Sequence, residues 1–278
     1  MNQAESRALF ETLVSGPEDG IDVVRAALAI AAEEDPELDV EAWAHRIDGL
    51  AFRGLSDLPS TADEADRLDR LFGLFFDELG FSGKNTNFDD PASSFLNAVV
   101  DRRSGLPIAL SVLFVRLGRR LGLSCAGVSF PGHFLAKVVT SEKEIFVDPF
   151  GQVRALTVAD LARRLGAASG GRQKLDRWML AAATPRETLA RMLRNLKNLY
   201  TRTGDLPRAF SAVDRVLVLQ PNALDDLRDR GLLCAKLGGV DAARRDLTKY
   251  LSLSRNADDA STIRATLASL EARPKLLN

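Results

Sequence analysis

The chain has 278 residues, 46% hydrophobic and 27% charged, the balance of an ordinary globular protein rather than a disordered or fibrous one. Its 37 basic and 38 acidic side chains leave a formal net charge of −1, so no global field draws in nucleic acid or an anionic membrane. The two cysteines, Cys125 and Cys234, exclude a four-cysteine zinc site and a disulfide framework. The start, Met1-Asn2-Gln3-Ala4-Glu5-Ser6, lacks a basic-then-apolar leader, and the apolar run from Leu110 is broken by Arg116, Arg119 and Arg120. The expected address is the cytoplasm, with no membrane partner.

The first hundred residues read as helical. Apolar spacing predicts helices over Ile21 to Glu34, stopped by Asp35-Pro36, and over Val40 to Ala51. A third is expected from Thr61, as cap, to Leu79, with Leu68, Leu71, Phe72, Leu74 and Phe75 on one face. Gly80 to Pro91 has loop composition. Ser94 to Asp101 reads as helix and is interrupted by Gly105-Leu106-Pro107. Proline suits a first helical turn, so a new helix is expected from Pro107 to Arg120, closed by Gly122. Being apolar nearly all round, it should be a buried central helix.

The period then changes. Ser124 to Phe130, Phe134 to Val139 and Glu144 to Val147 read as three antiparallel strands, with breaks at Pro131-Gly132 and Ser141-Glu142. Helix returns from Val158 to Leu165, Ala167 to Gly171 reads as a loop, and the chain is helical from about Pro185. In this last part Tyr200 and Cys234, Gly204 and Gly238, Ala209 and Ala243, Val213 and Leu247, and Leu217 and Leu251 share a spacing of 34 residues. That is the tetratricopeptide period. Arg230 and Arg255 depart from the pattern at the positions of Leu196 and Pro221. Two repeats are few for a free-standing array, so they should dock on their neighbour, capped by Ala260 to Ala272.

Histidine is scarce. His45 lies among charged residues on a predicted amphipathic helix and reads as solvated. His133 follows Pro131-Gly132 at the start of a strand, and Asp148 lies fifteen residues on, at the end of the next. A turn centred on Ser141-Glu142 places Asp148 opposite Leu135, with His133 its diagonal neighbour on the same face. A carboxylate there fixes an imidazole's tautomer and orientation, as in a catalytic triad, or simply pins two strands together. Two distant histidines and two separated cysteines lack metal-ligand spacing, and nothing calls for a metal or other cofactor.

Gly105-Leu106-Pro107 opening a buried helix, Leu121-Gly122-Leu123 ending it, then His133-Phe134 and Val147-Asp148-Pro149, together resemble the transglutaminase-like cysteine enzymes. The stretches Ser94-Phe95-Leu96-Asn97, Arg102-Arg103-Ser104-Gly105-Leu106-Pro107-Ile108, Pro131-Gly132-His133-Phe134-Leu135 and Asp148-Pro149-Phe150 are similar in particular to the SirB-type transglutaminase-like/TPR proteins of bacteria. The resemblance covers nearly the full length. It implies an α+β fold, with a helical N-terminal part over residues 1–90, a papain-like core with a small antiparallel sheet over 91–180, and helical repeats over 185–278. It also places Pro107 where the superfamily has its cysteine, as proteins of this branch generally do. A helix N-terminus lowers a thiol's pKa and aims N–H donors at an oxyanion, whereas proline has no nucleophile and one donor fewer.

Cys125 lies on a strand and reads as a small buried hydrophobe. Ser104 and Ser111 are the hydroxyls near Pro107. Arg102 and Arg103 either cover apolar surface and pair with acids or grip a carboxylate in the cleft. Asn97 either orients a ligand or satisfies backbone. With Gly132 and Phe134 beside His133, these form the candidate binding set, and His133 and Asp148 the remnant catalytic dyad. The expected function is a non-catalytic scaffold or regulator with a protein or peptide partner and no nucleic acid. The alternative is a hydrolase or acyltransferase that uses the dyad with a hydroxyl or an activated water.

Overall fold

The computed structural model describes residues 2–254 and 257–271. It opens with α1 (Gln3–Leu13), α2 (Val23–Ala31) and α3 (Val40–Ser56). Each starts where a side-chain oxygen, of Asn2, Asp22 or Asp39, accepts an orphan N–H of the first turn. The Asp22 cap makes α2 start two residues later than its apolar pattern suggested. In α3 the pattern runs past Ala51, because Gly54 packs beneath Leu74 and Leu121. The cap of α4 (Glu64–Phe72) is Asp63, in a reciprocal box with Asp66, rather than the expected Thr61. Nor does α4 run on to Leu79. It passes into a six-residue π-helical segment, Gly73–Glu78, which turns Phe75 onto Phe81 and Phe114 at ring separations of 4.9 and 5.2 Å.

After α5 (Leu96–Arg102), α6 (Pro107–Arg120) has the expected bounds. Proline at its first position needs no donor there, and Gly122 closes it at φ +82. The sheet has four strands, not three: β1 (Ser124–Val128), β2 (Leu135–Val139), β3 (Glu144–Asp148) and β4 (Val153–Leu156), antiparallel in that order. β4 is short, with Arg154 and Ala155 exposed, so it carries little apolar pattern. α7 (Val158–Ser169) outruns its expected end at Leu165, taking in Ala167 to Ser169 and stopping at Gly170, φ +60.

Side-chain alternation divides the sheet. Cys125 of β1 lies against Gly118 of α6, where an added Cβ would meet its sulfur at 2.5 Å. Leu135 and Phe146 instead cluster with Leu161 and Leu165 of α7. The two helices therefore pack on opposite faces of the same strands.

The remaining helices are α8 (Pro185–Thr203), α9 (Leu206–Leu219), α10 (Leu224–Lys236), α11 (Val240–Leu253) and α12 (Ala260–Glu271). The chain forms two compact units, residues 1–192 and 193–278. In the second, the predicted period has a physical basis. Gly204 and Gly238 take φ +82 and +85 at the two inter-helix turns, and Ala209 and Ala243 are fully buried at equivalent places. Arg230, at the position of Leu196, is held between Asp214 at 2.6 Å and Asp246 at 2.7 Å. Ile263 of α12 packs with Leu247 and Tyr250, as a cap should; Ala272 and the other departing position, Arg255, lie outside the described residues. Tyr200 is a core residue, 5% exposed. Among the described residues no helix is long and apolar enough to cross a membrane.

Candidate functional site

Four residues, Thr140 to Lys143, join β2 to β3 with Ser141 and Glu142 at the tip, and the Thr140 N–H donates to the Lys143 carbonyl at 3.0 Å. This turn sets Ala136 opposite Val147, and the same register puts Leu135 opposite Asp148. His133 is then the diagonal neighbour, and its Nε2 lies 2.9 Å from Asp148 Oδ1. The geometry expected from the spacing is present.

Asp148 is almost fully enclosed, 3% exposed, and both of its oxygens are engaged. Oδ1 also accepts the Gly151 N–H at 3.0 Å, and Oδ2 accepts from Arg164 of α7 at 2.6 Å. Burial by itself would raise this carboxyl, but the hydrogen bonds from His133 and Arg164 outweigh it and hold the pKa at about 2. An ionised carboxylate only accepts, so the proton shared with it sits on Nε2 of His133. The lone pair of a neutral ring is then on Nδ1, which has no hydrogen-bond partner among the described residues. Phe150 stands edge-on to the imidazole at 6.0 Å and is itself flanked by Phe88.

Arg164 is the residue that sequence spacing did not bring forward. It lies beyond β4, on a helix with two adjacent arginines, Arg163 and Arg164, and no periodicity marks one of them. With Gly132, Leu135 and Ala168 it walls a cavity of about 210 Å³ beside His133. Gly132 lies at φ +72 and is exposed, so the turn before His133 requires a left-handed residue. Phe134 points the other way: it lines a separate cavity of about 290 Å³ with Val112 and Val115 of α6. Its ring fills the space a side chain at Gly127 would need, 2.7 Å from an added Cβ.

The segment leading into α6 is tightly built. A Cβ on Gly105 would come within 2.4 Å of Val99 and 3.0 Å of the Ser93 carbonyl, which already accepts the Leu106 N–H. The Ser82 N–H donates to the Arg103 carbonyl at 3.1 Å, and the Gly83 N–H to the Phe150 carbonyl at 2.8 Å. Residues 82–83 thus tie the approach to Pro107 to the loop that follows Asp148.

The hydroxyls near Pro107 are occupied, and the Cys125 thiol, at the far end of α6 beside Gly118, is enclosed. Ser111 Oγ, fully buried, donates to the Phe134 carbonyl at 3.3 Å. Ser104 Oγ donates to the Lys84 carbonyl at 2.6 Å and pairs with Thr86. Burial pushes the Cys125 thiol up to about 12, against the opposing pull of Arg119. His45 is exposed on α3. Arg102 pairs with Asp90 at 2.5 Å. Arg103 makes no ion pair among the described residues, and its Nη1 is buried without an acceptor. Asn97 Oδ1 and Ser94 Oγ, three residues apart, are likewise buried without a protein partner. Among the described residues no group of three or more His, Cys, Asp and Glu could hold a metal ion.

Residues 41–194 match the family model described as the transglutaminase-like superfamily, and residues 196–268 match a tetratricopeptide repeat model. A UPF0162 protein of Xylella fastidiosa (strain 9a5c) is 35% identical over 269 residues, 94% of this chain and 94% of its own. One from Vibrio cholerae serotype O1 is 29% identical, covering 91% of this chain and 93% of its own. F-box only protein 21 of Homo sapiens is 28% identical over 145 residues, 49% of this chain and 22% of that protein. No solved structure matches. On its core motifs, its family match and its full-length relatives, the chain belongs to the transglutaminase-like superfamily, in the SirB-type branch of the UPF0162 proteins.

Proposed function

We propose that this chain is a non-catalytic descendant of a thiol enzyme, acting as a scaffold or regulator that binds a protein or peptide. The observation that carries the reading is Pro107 at the first position of α6, where the superfamily resemblance calls for the nucleophilic cysteine. The other candidates for that role support it. Ser111 and Ser104 spend their hydroxyl hydrogens on carbonyls, and Cys125 is enclosed with its pKa raised to about 12. The His133–Asp148 pair then serves recognition: an oriented imidazole beside a partly apolar cavity suits an amide or peptide group. The tetratricopeptide match favours a protein partner, since stacked helix pairs present extended surfaces for peptide segments.

A second reading has one observation in its favour. Asp148 holds His133 by Nε2 and leaves Nδ1 without a described partner, the orientation a general base needs toward a water or an acyl group. The two readings part on turnover. Purified full-length protein and His133→Ala are assayed side by side against panels of peptide amides, isopeptides and esters. Binding read by calorimetry, with no turnover above the variant, supports the scaffold; saturable turnover abolished by His133→Ala replaces it with the hydrolase.

A further inference from the structure

The cavity of about 290 Å³ that Phe134 lines lies on the α6 face of the sheet, while the one beside His133 is walled from α7. To this first cavity α6 lends Val112, Val115 and Arg119, and the turn into α2 lends Asp19 and Val24. The start of α8 and Gly127 of β1 complete the lining. These walls are tied to one another. Arg116 of α6 donates to Asp22, the cap of α2, at 3.1 Å. The Ala183 N–H donates to the Gly127 carbonyl at 2.8 Å, and the Arg186 N–H of α8 donates to Glu18, ahead of α2, at 2.8 Å. Protein interiors leave few voids larger than a water molecule. A space of this size between tethered walls is a preformed pocket, at the small end of the range that ligand sites occupy.

Most charges around it are already matched. Glu41, Arg25, Asp22, Arg116, Asp48 and Arg120 form one chain of ion pairs, three carboxylates to three guanidiniums. Glu18 is taken by Arg186 at 3.0 Å, and Glu187 caps α8 by accepting the Thr184 N–H at 2.8 Å. Asp19 and Arg119 remain. Both line the cavity, and neither makes an ion pair among the described residues, with the other or with any third group. Arg119 is nevertheless held in place. Its Nε donates to the Cys125 carbonyl at 2.8 Å, which leaves both Nη groups to donate elsewhere. The cavity therefore offers one anchored cation, one anion on an exposed turn, and an apolar surface that includes Val24, Val112, Val115 and Phe134.

We propose that this cavity binds a free α-amino acid with an apolar side chain. The carboxylate takes the two Nη groups of Arg119 as a fork, the ammonium meets Asp19, and the side chain covers the valines and Phe134. Only a zwitterion leaves neither residue unmatched: a plain carboxylate would sit beside the Asp19 charge, and a plain amine beside that of Arg119. The site stands apart from the His133 cavity and does not depend on how that cavity is read.

The test is calorimetric titration of the full chain at pH 7 with L-leucine and L-phenylalanine, each beside its amide and its deaminated acid, with glycine as control. At least one of the two amino acids should bind saturably at a single site. Its amide and its deaminated acid should each bind roughly tenfold more weakly, since each gives up one charge contact, and glycine should give no saturable heat. Arg119→Gln and Asp19→Asn should each weaken binding roughly tenfold, and Val115→Phe, which fills the cavity, should abolish it. Arg163→Gln, on α7 and so on the other face of the sheet, should leave it unchanged. Asp19→Asn changes an exposed turn residue at constant size, so its loss of binding is not a loss of fold. As a second readout, the amino acid should raise the Tm of wild type and of Arg163→Gln, and not that of Val115→Phe. No saturable heat from either amino acid overturns the proposal, as does unchanged binding in Arg119→Gln or Val115→Phe. An amide or a deaminated acid that binds as tightly as its amino acid also overturns it, pointing to the terminus of a peptide instead.

Discussion

Asp148 serves two donors at once: Oδ1 lies 2.9 Å from His133 Nε2, and Oδ2 lies 2.6 Å from Arg164 Nη1. The carboxylate thereby joins the start of β2 to α7 across the end of β3. Removing it strands a guanidinium and an imidazole together. Asp148→Ala should cost about 3 kcal/mol of unfolding free energy. Arg164→Ala should cost less, about 1 kcal/mol, because Arg164 is 40% exposed and partly solvated. Urea denaturation of both variants checks the order, and equal losses would deny Arg164 its secondary place.

The same carboxylate sets a pH dependence. Its folded pKa of about 2 lies below the unfolded value of about 3.9, so the unfolded chain binds more protons between them. Its contribution, about 2 kcal/mol, is fully present above pH ~5 and is lost as the pH falls toward 2. Asp148→Asn should therefore flatten the acid limb of stability against pH relative to wild type. Parallel limbs would show that the carboxyl is not perturbed.

Restoring the missing thiol is the sharpest test of descent. In native Pro107→Cys, a cysteine at the first turn of α6 should be alkylated by iodoacetamide at pH 7 at least ~10-fold faster than Cys125. Adding His133→Ala should slow that reaction. Mass spectrometry of the labelled peptide reads the rate, and indifference to His133 would separate the histidine from the nucleophile position.

Gly105→Ala places a Cβ 2.4 Å from Val99 and 3.0 Å from the Ser93 carbonyl. Overpacking against backbone should destabilise by about 1–3 kcal/mol. By contrast, Gly204→Ala and Gly238→Ala meet no neighbour and pay only for their positive φ, about 1 kcal/mol each, adding nearly independently. Chemical denaturation of the three variants checks both size and additivity.

How much of this was legible depended on what kind of signal each element carries. Pro107 and Gly122 bracket α6, and both bounds could be read because each residue has a backbone reason to be there. The His133–Asp148 contact was legible because the turn residues between two strands fix a register by arithmetic. Arg164 was not, since nothing in a chain marks which arginine on a helix reaches a strand end sixteen residues back. β4 escaped because two of its four residues face solvent. The π-helical segment after α4 keeps an ordinary amphipathic pattern while its hydrogen bonding changes. Tyr200 matched the repeat spacing, but spacing alone does not tell a core aromatic from one on a binding face.

The turn between β2 and β3 holds four residues, Thr140 to Lys143, with Ser141 and Glu142 at its tip. Lengthening or shortening it by one residue would turn His133 and Asp148 to opposite faces of the sheet, while a two-residue change would preserve their parity. Substitution of the exposed Glu142 is therefore cheap, whereas a change in the length of the turn is not. Related chains that keep the pair should vary freely in what stands at the turn and hardly at all in how many residues it has. What the pair depends on there is a length, which no single side chain reveals.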